Sequence, residues 1–336
     1  MFETDFNEHH SLSTGLSLNH DYINEEFATA IENVPGAYAQ YTYKLVEQLT
    51  VMGGLRWDHS NIYGSFVTPR MHLKYSPNGI ITLRGSIGKG YRTSHILAEN
   101  NYLLASGRTI VIDDDLEQEE AWNYGISTAL SIPIGEKKLE LSAEYYYTNF
   151  LHQVVTDLDG NPHAVHFTNL SGDSYSHTFQ AEATYPFFEG FTMTATYRRT
   201  DVKCTYGGIL KEKPLTNKYK GLLTASYAPG LGKWQFDVTL QLNGGGRMPT
   251  PYVDSNDKPS WDERYKGYEQ LSAQVTRFFR YWSIYAGAEN ITGFKQKNPI
   301  VGADDPWGSH FDSTMIWGPI HGPVYYIGVR LNWNKI

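Results

Sequence analysis

The stretch FTMTATYR, residues 191–198, alternates apolar and polar side chains along its length. Successive side chains of a β-strand point to opposite faces, so Phe191 and Met193 share one face and Thr192 and Thr194 share the other. A helix would instead place apolar residues both three and four positions apart, and in this stretch no two apolar residues are three apart. The stretch therefore predicts a β-strand with one apolar face and one polar face.

The same alternation recurs along the whole chain, and no segment predicts a long helix. Short runs of alternating residues bounded by turn-forming residues are typical of strands. The alternating runs predict an all-β fold of about fourteen strands, near residues 11–20, 35–45, 49–58, 66–76, 79–91, 118–131, 139–156, 174–186, 191–203, 218–228, 234–243, 266–279, 282–289 and 323–333.

The connections between these strands alternate strictly between short and long. Outer-membrane barrels have this organisation, with short turns on the periplasmic side and long loops outside. The pattern therefore predicts an antiparallel up-and-down transmembrane β-barrel meander. Its long connections are predicted at residues 21–34, 59–65, 92–117, 157–173, 204–217, 244–265 and 290–322.

Aromatic residues concentrate at the short-turn end of the predicted strands. Tyr and Trp favour the boundary between membrane and water, because a flat apolar ring with a polar tip suits that layer. We therefore expect the apolar strand faces to contact outer-membrane lipid and the polar faces to line a wide interior. The residues of this aromatic rim are Tyr185, Phe187, Phe188, Tyr227, Trp234, Phe278, Phe279, Tyr281 and Trp282.

Composition excludes several other classes of protein. The 336 residues carry 28 Lys and Arg against 36 Asp and Glu, and this net charge of −8 argues against nucleic acid as a partner. The single cysteine, Cys204, excludes an internal disulfide and a Cys-rich metal site. No apolar run is long enough for a transmembrane helix, and Met1–His10 is too acidic and polar for a signal peptide. No H-E-x-x-H or G-x-S-x-G word appears, so we predict no enzyme.

Several words in the sequence occur in a known order on the predicted strands. They are GKGYRTS at 88–94, LEQEEAWNYG at 116–125, AENITG at 288–293 and KQKNPI at 295–300. Together they resemble the TonB-dependent outer-membrane receptors, in the form found in Bacteroidetes-type bacteria. Gly293 stands where that family usually has Asn or Asp.

The resemblance implies a 22-stranded barrel blocked by an N-terminal plug domain, in the outer membrane of a Gram-negative bacterium. We therefore expect residues 1–336 to form the C-terminal barrel portion of a receptor, with the plug and the first strands absent. The implied partners are that plug in the lumen, a TonB complex reached through the N-terminal part, and a small chelate. The implied function is uptake of a chelated metal or a similar scarce nutrient, such as a siderophore, haem or cobalamin.

Ligand contacts are expected on the rim with the long loops, since loops on a rigid scaffold carry binding residues. Arginine pairs with anionic chelates, Trp stacks on planar ligands, and His or Met contacts metals. The histidines lack metal-site spacing and the acidic run 113–115 lacks the glycine of a calcium loop, so we predict no structural metal or cofactor. The candidates are Tyr91, Arg92, His95, Glu99, Asn100, Asn101, Arg247, Met248, Tyr252, Trp261, Asp304, Asp305, Trp307, His310, Met315 and Trp317.

Three alternatives remain open from the sequence. The aromatic loop residues could pack the loops against each other instead of contacting a ligand. The chain could form a passive fourteen-stranded outer-membrane channel. It could also be a soluble β-sandwich that binds carbohydrate, in which case the alternating strands would form two facing sheets.

Overall fold

The computed structural model describes residues 1–25, 28–230, 232–252, 259–308 and 310–332. Within these ranges the only helical elements are the four-residue helix α1 (Ile96–Glu99) and a 3₁₀ turn (Asn101–Ala105), and neither is long enough to cross a membrane. The strands are β1 (Phe2–Asn7), β2 (His10–Glu25), β3 (Ala28–Val46), β4 (Leu49–Ser60), β5 (Gly64–Tyr75), β6 (Ile81–Arg92), β7 (Thr109–Ile112), β8 (Glu119–Ile134), β9 (Lys137–His152), β10 (Val154–Asp157), β11 (Ala164–Asn169), β12 (Ser174–Phe188), β13 (Phe191–Tyr206), β14 (Ile209–Glu212), β15 (Tyr219–Tyr227), β16 (Trp234–Asn243), β17 (Gly246–Arg247), β18 (Arg264–Tyr265), β19 (Tyr268–Phe278), β20 (Trp282–Glu289) and β21 (Val324–Leu331).

Most of these strands form one sheet in which neighbours in sequence are neighbours in space. The hydrogen-bonded order is β1-β2-β3-β4-β5-β6-β8-β9-β12-β13-β15-β16-β19-β20-β21, with β14 paired to β13. The predicted all-β antiparallel meander is therefore confirmed, and each predicted strand coincides with a strand of this path. Since the path is continuous, it does not divide into the two facing sheets of a sandwich. In the described residues, β1 and β21 are its two ends.

Two of the predicted long connections are wrong. Residues 21–25 and 28–34 continue the β2–β3 ladder, in which Asp21 pairs with Glu32 and Tyr22 with Ile31. Likewise β4 extends to Ser60 and β5 starts at Gly64, so that residues 59–65 contain only a tight turn. Both stretches are rich in polar residues, and the backbone ladder rather than an apolar face holds these ends of the strands together.

The sequence prediction also missed short strands. β1 pairs with β2, but its few residues include two acids, which weakened the apolar pattern. β7, β10 and β11 form a separate three-stranded sheet, and β17 pairs with β18. The predicted strand 139–156 is in fact β9 followed by β10, and Trp333 of the predicted last strand lies outside the described residues.

The chain divides into two compact units. The first contains Met1–Thr128, Glu144–His177 and Val202–Glu212, and the second contains Ala129–Ala143, Thr178–Asp201 and Lys213–Ile336. In the first unit the buried apolar residues lie in the long connections, around the small sheet of β7, β10 and β11. In the second unit they also lie in the connections, around Met248, Tyr265 and Met315. Among the described residues, the long strands of the meander contribute only Cys204 and Tyr206, at the end of β13, to the buried apolar clusters.

The two faces of the strands differ in the second unit as the alternation predicts. On one face, Phe236 and Val238 of β16 are apolar and yet 40% and 42% exposed. On the other face, Asp237 accepts a hydrogen bond from Ser226 Oγ at 2.7 Å and one from Gln235 Nε2 at 2.9 Å. An exposed apolar band opposite a hydrogen-bonded polar face is typical of an outer-membrane strand, whose exposed side contacts lipid.

The aromatic rim at the short-turn end is a row of rings in mutual contact. Phe188 stacks on Phe191 with centroids 4.8 Å apart, and Phe279 stacks on Trp282 at 4.1 Å. The rings point outward, and Phe188 is 53% exposed. These residues therefore do not fill the core of a sandwich, and their position fits the interfacial belt of a membrane barrel.

Candidate ligand-binding site

In the first unit, the polar face of the sheet lines a cavity of about 710 Å³. Three of the predicted ligand-contact residues, Tyr91, Arg92 and His95, lie in its wall. A concave site with a few convergent polar groups and aromatic rings is where small ligands usually bind. The other charged and aromatic lining residues are Asp21, Glu32, Tyr38, Arg56, Asp58, Phe66, Arg70 and Lys89.

Two arginines on neighbouring strands, Arg56 of β4 and Arg70 of β5, lie in the cavity wall and differ in their partners. Arg56 is neutralised, because its Nε and Nη2 donate to the two carboxylate oxygens of Asp58 at 2.7 and 2.6 Å. Arg70 donates to the amide oxygen of Gln40 at 2.6 Å, and none of the ion pairs between described residues includes it. Arg70 is thus a cation that faces the cavity with a neutral partner, and it is suited to an anionic ligand.

A buried carboxylate, Glu32, joins three segments at the cavity. It is 4% exposed and accepts hydrogen bonds from Ser60 Oγ at 2.6 Å and from Thr93 Oγ1 at 3.2 Å. The donors come from β4 and from the segment after β6, while Glu32 belongs to β3. Hydrogen bonds to a charged acceptor are stronger than those between neutral groups, so this contact fixes the segment that carries the predicted residues.

Arg92 is already paired within the protein. Its Nε donates to Glu119 Oε2 at 2.6 Å, and its Nη1 donates to Glu99 Oε2 at 2.8 Å. The neighbouring Lys89 pairs with Glu120 at 2.5 Å. An anionic ligand would have to displace these carboxylates before it could reach Arg92. Arg70 therefore has the more accessible charge.

The other predicted residues near this cavity have local structural roles. Glu99 accepts a second hydrogen bond, from the backbone N–H of His95 at 3.1 Å, and the side chain of Asn100 donates to the carbonyl of Ile96 at 2.9 Å. Asn101 is exposed at the start of the 3₁₀ turn. The ring of Tyr91 lies on Phe66 with centroids 4.5 Å apart, which leaves it at the cavity wall.

A small apolar core anchors the connections that carry these residues. Leu103, Val165 and Phe167 are each no more than 1% exposed, and Ile96 of α1 packs against them. Since Ile96 precedes Glu99 in the same helix, the core holds the partner of Arg92 in place. This arrangement allows a long loop to present charged residues in a fixed geometry.

The small sheet beside this core carries a histidine–carboxylate pair. His166 Nε2 lies 2.7 Å from Asp113 Oδ1, and this hydrogen bond, together with one from Thr168, lowers the pKa of Asp113 below its ordinary 3.8. A lowered carboxyl pKa stabilises the folded loop above the ordinary pKa, and that contribution is lost as pH falls through the folded value. We therefore expect proteolysis of residues 153–173 to accelerate as the pH falls from about 5 to about 3. This acceleration should be smaller in the Asp113→Asn variant, which has no carboxyl group to protonate at this position. An equal acid response in both proteins would contradict this role.

In the second unit, four of the aromatic and methionine candidates form a packed cluster. Met248 and Met315 are 4% and 2% exposed, and Trp261 and Trp317 pack against them. Tyr265 stacks on Trp317 with centroids 5.0 Å apart, and burial raises the pKa of Tyr265 to about 12. This cluster fits the alternative that loop aromatics pack the loops together, because the methionines are closed to a ligand.

Other candidates in this unit surround the cluster. Tyr252 stacks on His310 at 4.7 Å and meets the edge of Trp261 at 5.6 Å. Arg247 donates from Nη1 to the backbone carbonyl of Met248 at 3.3 Å. These contacts fix the long connections of the unit to each other, so the rings here have structural partners.

The predicted residues between 304 and 307 lie in a turn and are exposed. The backbone N–H of Asp305 donates to the carbonyl of Gly302 at 3.0 Å, while Asp304 is exposed. Trp307 is 98% exposed. A fully exposed tryptophan on a loop is available to stack on a ligand, and of the predicted aromatic residues Trp307 is the one whose ring is uncovered.

The structure thus separates the sequence-predicted residues. It brings Tyr91, Arg92 and His95 to one cavity, buries Met248 and Met315, and leaves others in turns. In the described part of the chain, no three His, Cys, Asp or Glu side chains are grouped so that they could hold a metal ion. Sequence reasoning missed the cavity residues Glu32, Arg56, Asp58 and Arg70. The available signal was that Arg56 and Asp58 are polar and two positions apart, which places them on the same face of a strand. This spacing does not show which other strands line the cavity with them.

Comparison with protein families gives a match over most of the chain. Residues 3–291 match a model described as the TonB dependent receptor-like β-barrel. Two curated relatives are the iron-regulated outer membrane virulence proteins of two Vibrio cholerae strains, each 23% identical over 258 residues. That alignment covers 71% of this chain but 38% of each relative.

Solved structures are similar over almost the whole chain. The ferric enterobactin receptor of Pseudomonas aeruginosa aligns with a TM-score of 0.68 and 13% identity, over 95% of this chain and 50% of the receptor. The copper transporter OprC aligns with a TM-score of 0.70 and 14% identity, over 96% of this chain and 53% of the transporter. The FrpB iron transporter of Neisseria meningitidis aligns with a TM-score of 0.68 and 12% identity, over 98% of this chain and 53% of the transporter. At these identities the likeness establishes the fold, and the chain spans about half the length of these proteins.

Proposed function

The chain belongs to the TonB-dependent receptor-like β-barrel family of the bacterial outer membrane, and from this premise we propose that it captures and admits a metal chelate. External loops bind the chelate, and the polar face of the strands surrounds a luminal plug domain. Force transmitted by a TonB complex then moves that plug and opens a path. The plug, the TonB complex and the chelate are therefore the proposed partners.

The observation that carries this proposal is the cavity in the first unit. Its wall contains Arg70, which has a neutral partner, and the rings of Tyr38, Phe66 and Tyr91. Ferric chelates present anionic oxygen donors around the metal, and the aromatic rings of catecholate ligands can stack on protein rings. A cavity of about 710 Å³ is within the range of small-ligand sites.

The names of similar proteins favour iron as the first metal to test. The V. cholerae relatives are described as iron-regulated, one structural neighbour is a receptor for ferric enterobactin and another is an iron transporter. The copper transporter OprC has a comparable structural similarity, so copper is the second candidate. We propose a ferric siderophore as the substrate class.

The test measures the growth of a strain in which the gene for this protein is deleted. The strain is supplied with one nutrient at a time. The panel contains a ferric catecholate, a ferric hydroxamate, haem, cobalamin and a copper salt under copper limitation. We expect the deletion strain to fail on a ferric siderophore and the intact gene to restore growth. Replacing Arg70 removes a charged hydrogen bond, so we expect uptake by Arg70→Gln to fall roughly tenfold. Arg198→Gln is the matched control, because Arg198 does not line the cavity.

The same experiment separates uptake from the passive channel. Growth restored by the gene should disappear when tonB is also deleted. Restoration that persists without TonB would indicate passive diffusion, and equal growth of deletion and parent strains on every source would contradict the proposal. If Arg70→Gln takes up the chelate as fast as the parent protein, the cavity is not where the chelate binds.

A further inference from the structure

Arg277 is an arginine on the lipid-facing side of the sheet. Its direct cross-strand partners are Trp234 on β16 and Ile284 on β20. The residue two positions before it, Val275, is apolar and 38% exposed on the same face. The alternation therefore places a guanidinium in the band of side chains that contacts the membrane.

Two aromatic rings lie close to this guanidinium. Its central carbon lies 4.8 Å from the ring centroid of Trp234 and 5.5 Å from that of Phe279. Among the described residues, none of the ion pairs includes Arg277. The rings stabilise the cation through their quadrupoles, but they provide no anion to accept its hydrogen bonds.

A guanidinium facing lipid is costly unless it reaches the interface, because a charged side chain loses its hydration in hydrocarbon. Arg277 lies next to the short turn at residues 279–281, within the aromatic rim. An aromatic rim lies at the depth of the lipid headgroups, and Arg pairs with phosphate through two parallel hydrogen bonds. The lipid therefore supplies the acceptor that the described residues lack.

Two further cations lie on the same pair of hairpins. The backbone carbonyl of Lys233 accepts a hydrogen bond from the N–H of Phe278 at 2.8 Å, so the two turns are adjacent. Arg280 is exposed in the next turn, and its guanidinium lies 4.9 Å from the ring of Tyr281. Three cations, Arg277, Lys233 and Arg280, therefore lie on these two adjacent hairpins, and their charge complements that of a lipid phosphate.

We propose that Arg277, with Lys233 and Arg280 beside it, binds the phosphate group of a phospholipid in the periplasmic leaflet. The short turns of outer-membrane barrels face the periplasm, and the inner leaflet there consists of phospholipid. This inference goes beyond the proposed uptake and rests only on insertion of the strands into the membrane. Such a site would fix the depth at which these hairpins lie in the bilayer.

The test measures lipid retention by the full chain, purified folded in a non-ionic detergent. Dioleoylphosphatidylglycerol is titrated in and the bound lipids are counted by native mass spectrometry. We expect Arg277→Gln to bind the first lipid roughly tenfold more weakly, as expected for the loss of a charged hydrogen bond. Arg330→Gln is the matched control, because Arg330 pairs across the ladder with Ser283, on the polar face near the same end of the sheet. It should bind lipid as the parent protein does.

Two further measurements distinguish the possible causes of weaker lipid binding. With a digalactosyl lipid, which has no phosphate, parent and Arg277→Gln should bind equally. Heat-modifiable migration on a gel shows whether each variant is folded, so a failure of insertion is distinguished from a failure of lipid binding. Folded Arg277→Gln that retains phosphatidylglycerol as tightly as the parent would overturn the proposal. An equal loss in Arg330→Gln, or a loss with the digalactosyl lipid, would also overturn it.

Discussion

A Phe167→Ala variant is expected to loosen the loops of the first unit while leaving the strand meander intact. Phe167 is 1% exposed in the small core with Leu103 and Val165. Truncating a fully buried phenylalanine leaves a cavity and costs about 3–5 kcal/mol. Since this core is separate from the strand ladder, we expect the loss to appear as local opening of the connection 153–173.

The measurement is the rate of limited proteolysis of the folded protein. When opening is fast relative to cleavage, the rate follows the population of the open state, so the expected cost corresponds to an increase of roughly 100- to 4,000-fold. Val111→Ala is the matched control, because Val111 belongs to the same small sheet and is 41% exposed. Equal cleavage rates in the two variants would show that this core does not hold the loops.

The second large effect is expected at Gly36. Gly36 pairs with Asp58 across the β3–β4 ladder, and a Cβ added to it would lie 1.9 Å from Asp58 Oδ1 and 3.0 Å from Arg56 Nη2. The carboxylate would have to move away from the guanidinium, which would break the pair between the buried Asp58 and the partly exposed Arg56. We expect Gly36→Ala to lower the free energy of unfolding by about 2–4 kcal/mol.

The measurement compares thermal unfolding of the folded form, followed by its heat-modifiable migration. Gly53→Ala on β4 is the matched control, because a Cβ at Gly53 would meet no atom within 4 Å. Combining Gly36→Ala with Asp58→Ala should restore part of the loss, since the space of the displaced carboxylate becomes available. If Gly36→Ala unfolds at the same temperature as Gly53→Ala, the Arg56–Asp58 pair is not held as the structure has it.

The strands were predictable because their physical signal is local. Alternation along FTMTATYR identifies a strand and both of its faces without knowledge of its neighbour. It failed for residues 21–25 and 28–34, where cross-strand pairs such as Asp21 with Glu32 continue the hairpin. An alternating pattern reports burial of one face, and backbone hydrogen bonds extend a hairpin past the point where that pattern ends.

The candidate site was less predictable, because a cavity depends on strand register. Arg70 and Arg92 lie 22 positions apart in sequence, and only the pairing of β5 with β6 brings their segments into one wall. Met248 and Met315 were predicted as ligand contacts, yet they are buried with Trp261 and Trp317. Loop methionines and aromatic rings bury apolar area wherever they meet, and sequence alone cannot show which of them meet.

The central claim is that one face of each strand contacts lipid and the other faces a polar interior. The most direct measurement is a spin-label scan of residues 235–241 of β16, in the full chain with Cys204→Ser, reconstituted in lipid vesicles. Labels at Phe236, Val238 and Leu240 should be relaxed by oxygen, and labels at the residues between them by a water-soluble nickel chelate. This two-residue period is the predicted result. Uniform accessibility along the strand, or the opposite phase, would contradict the account.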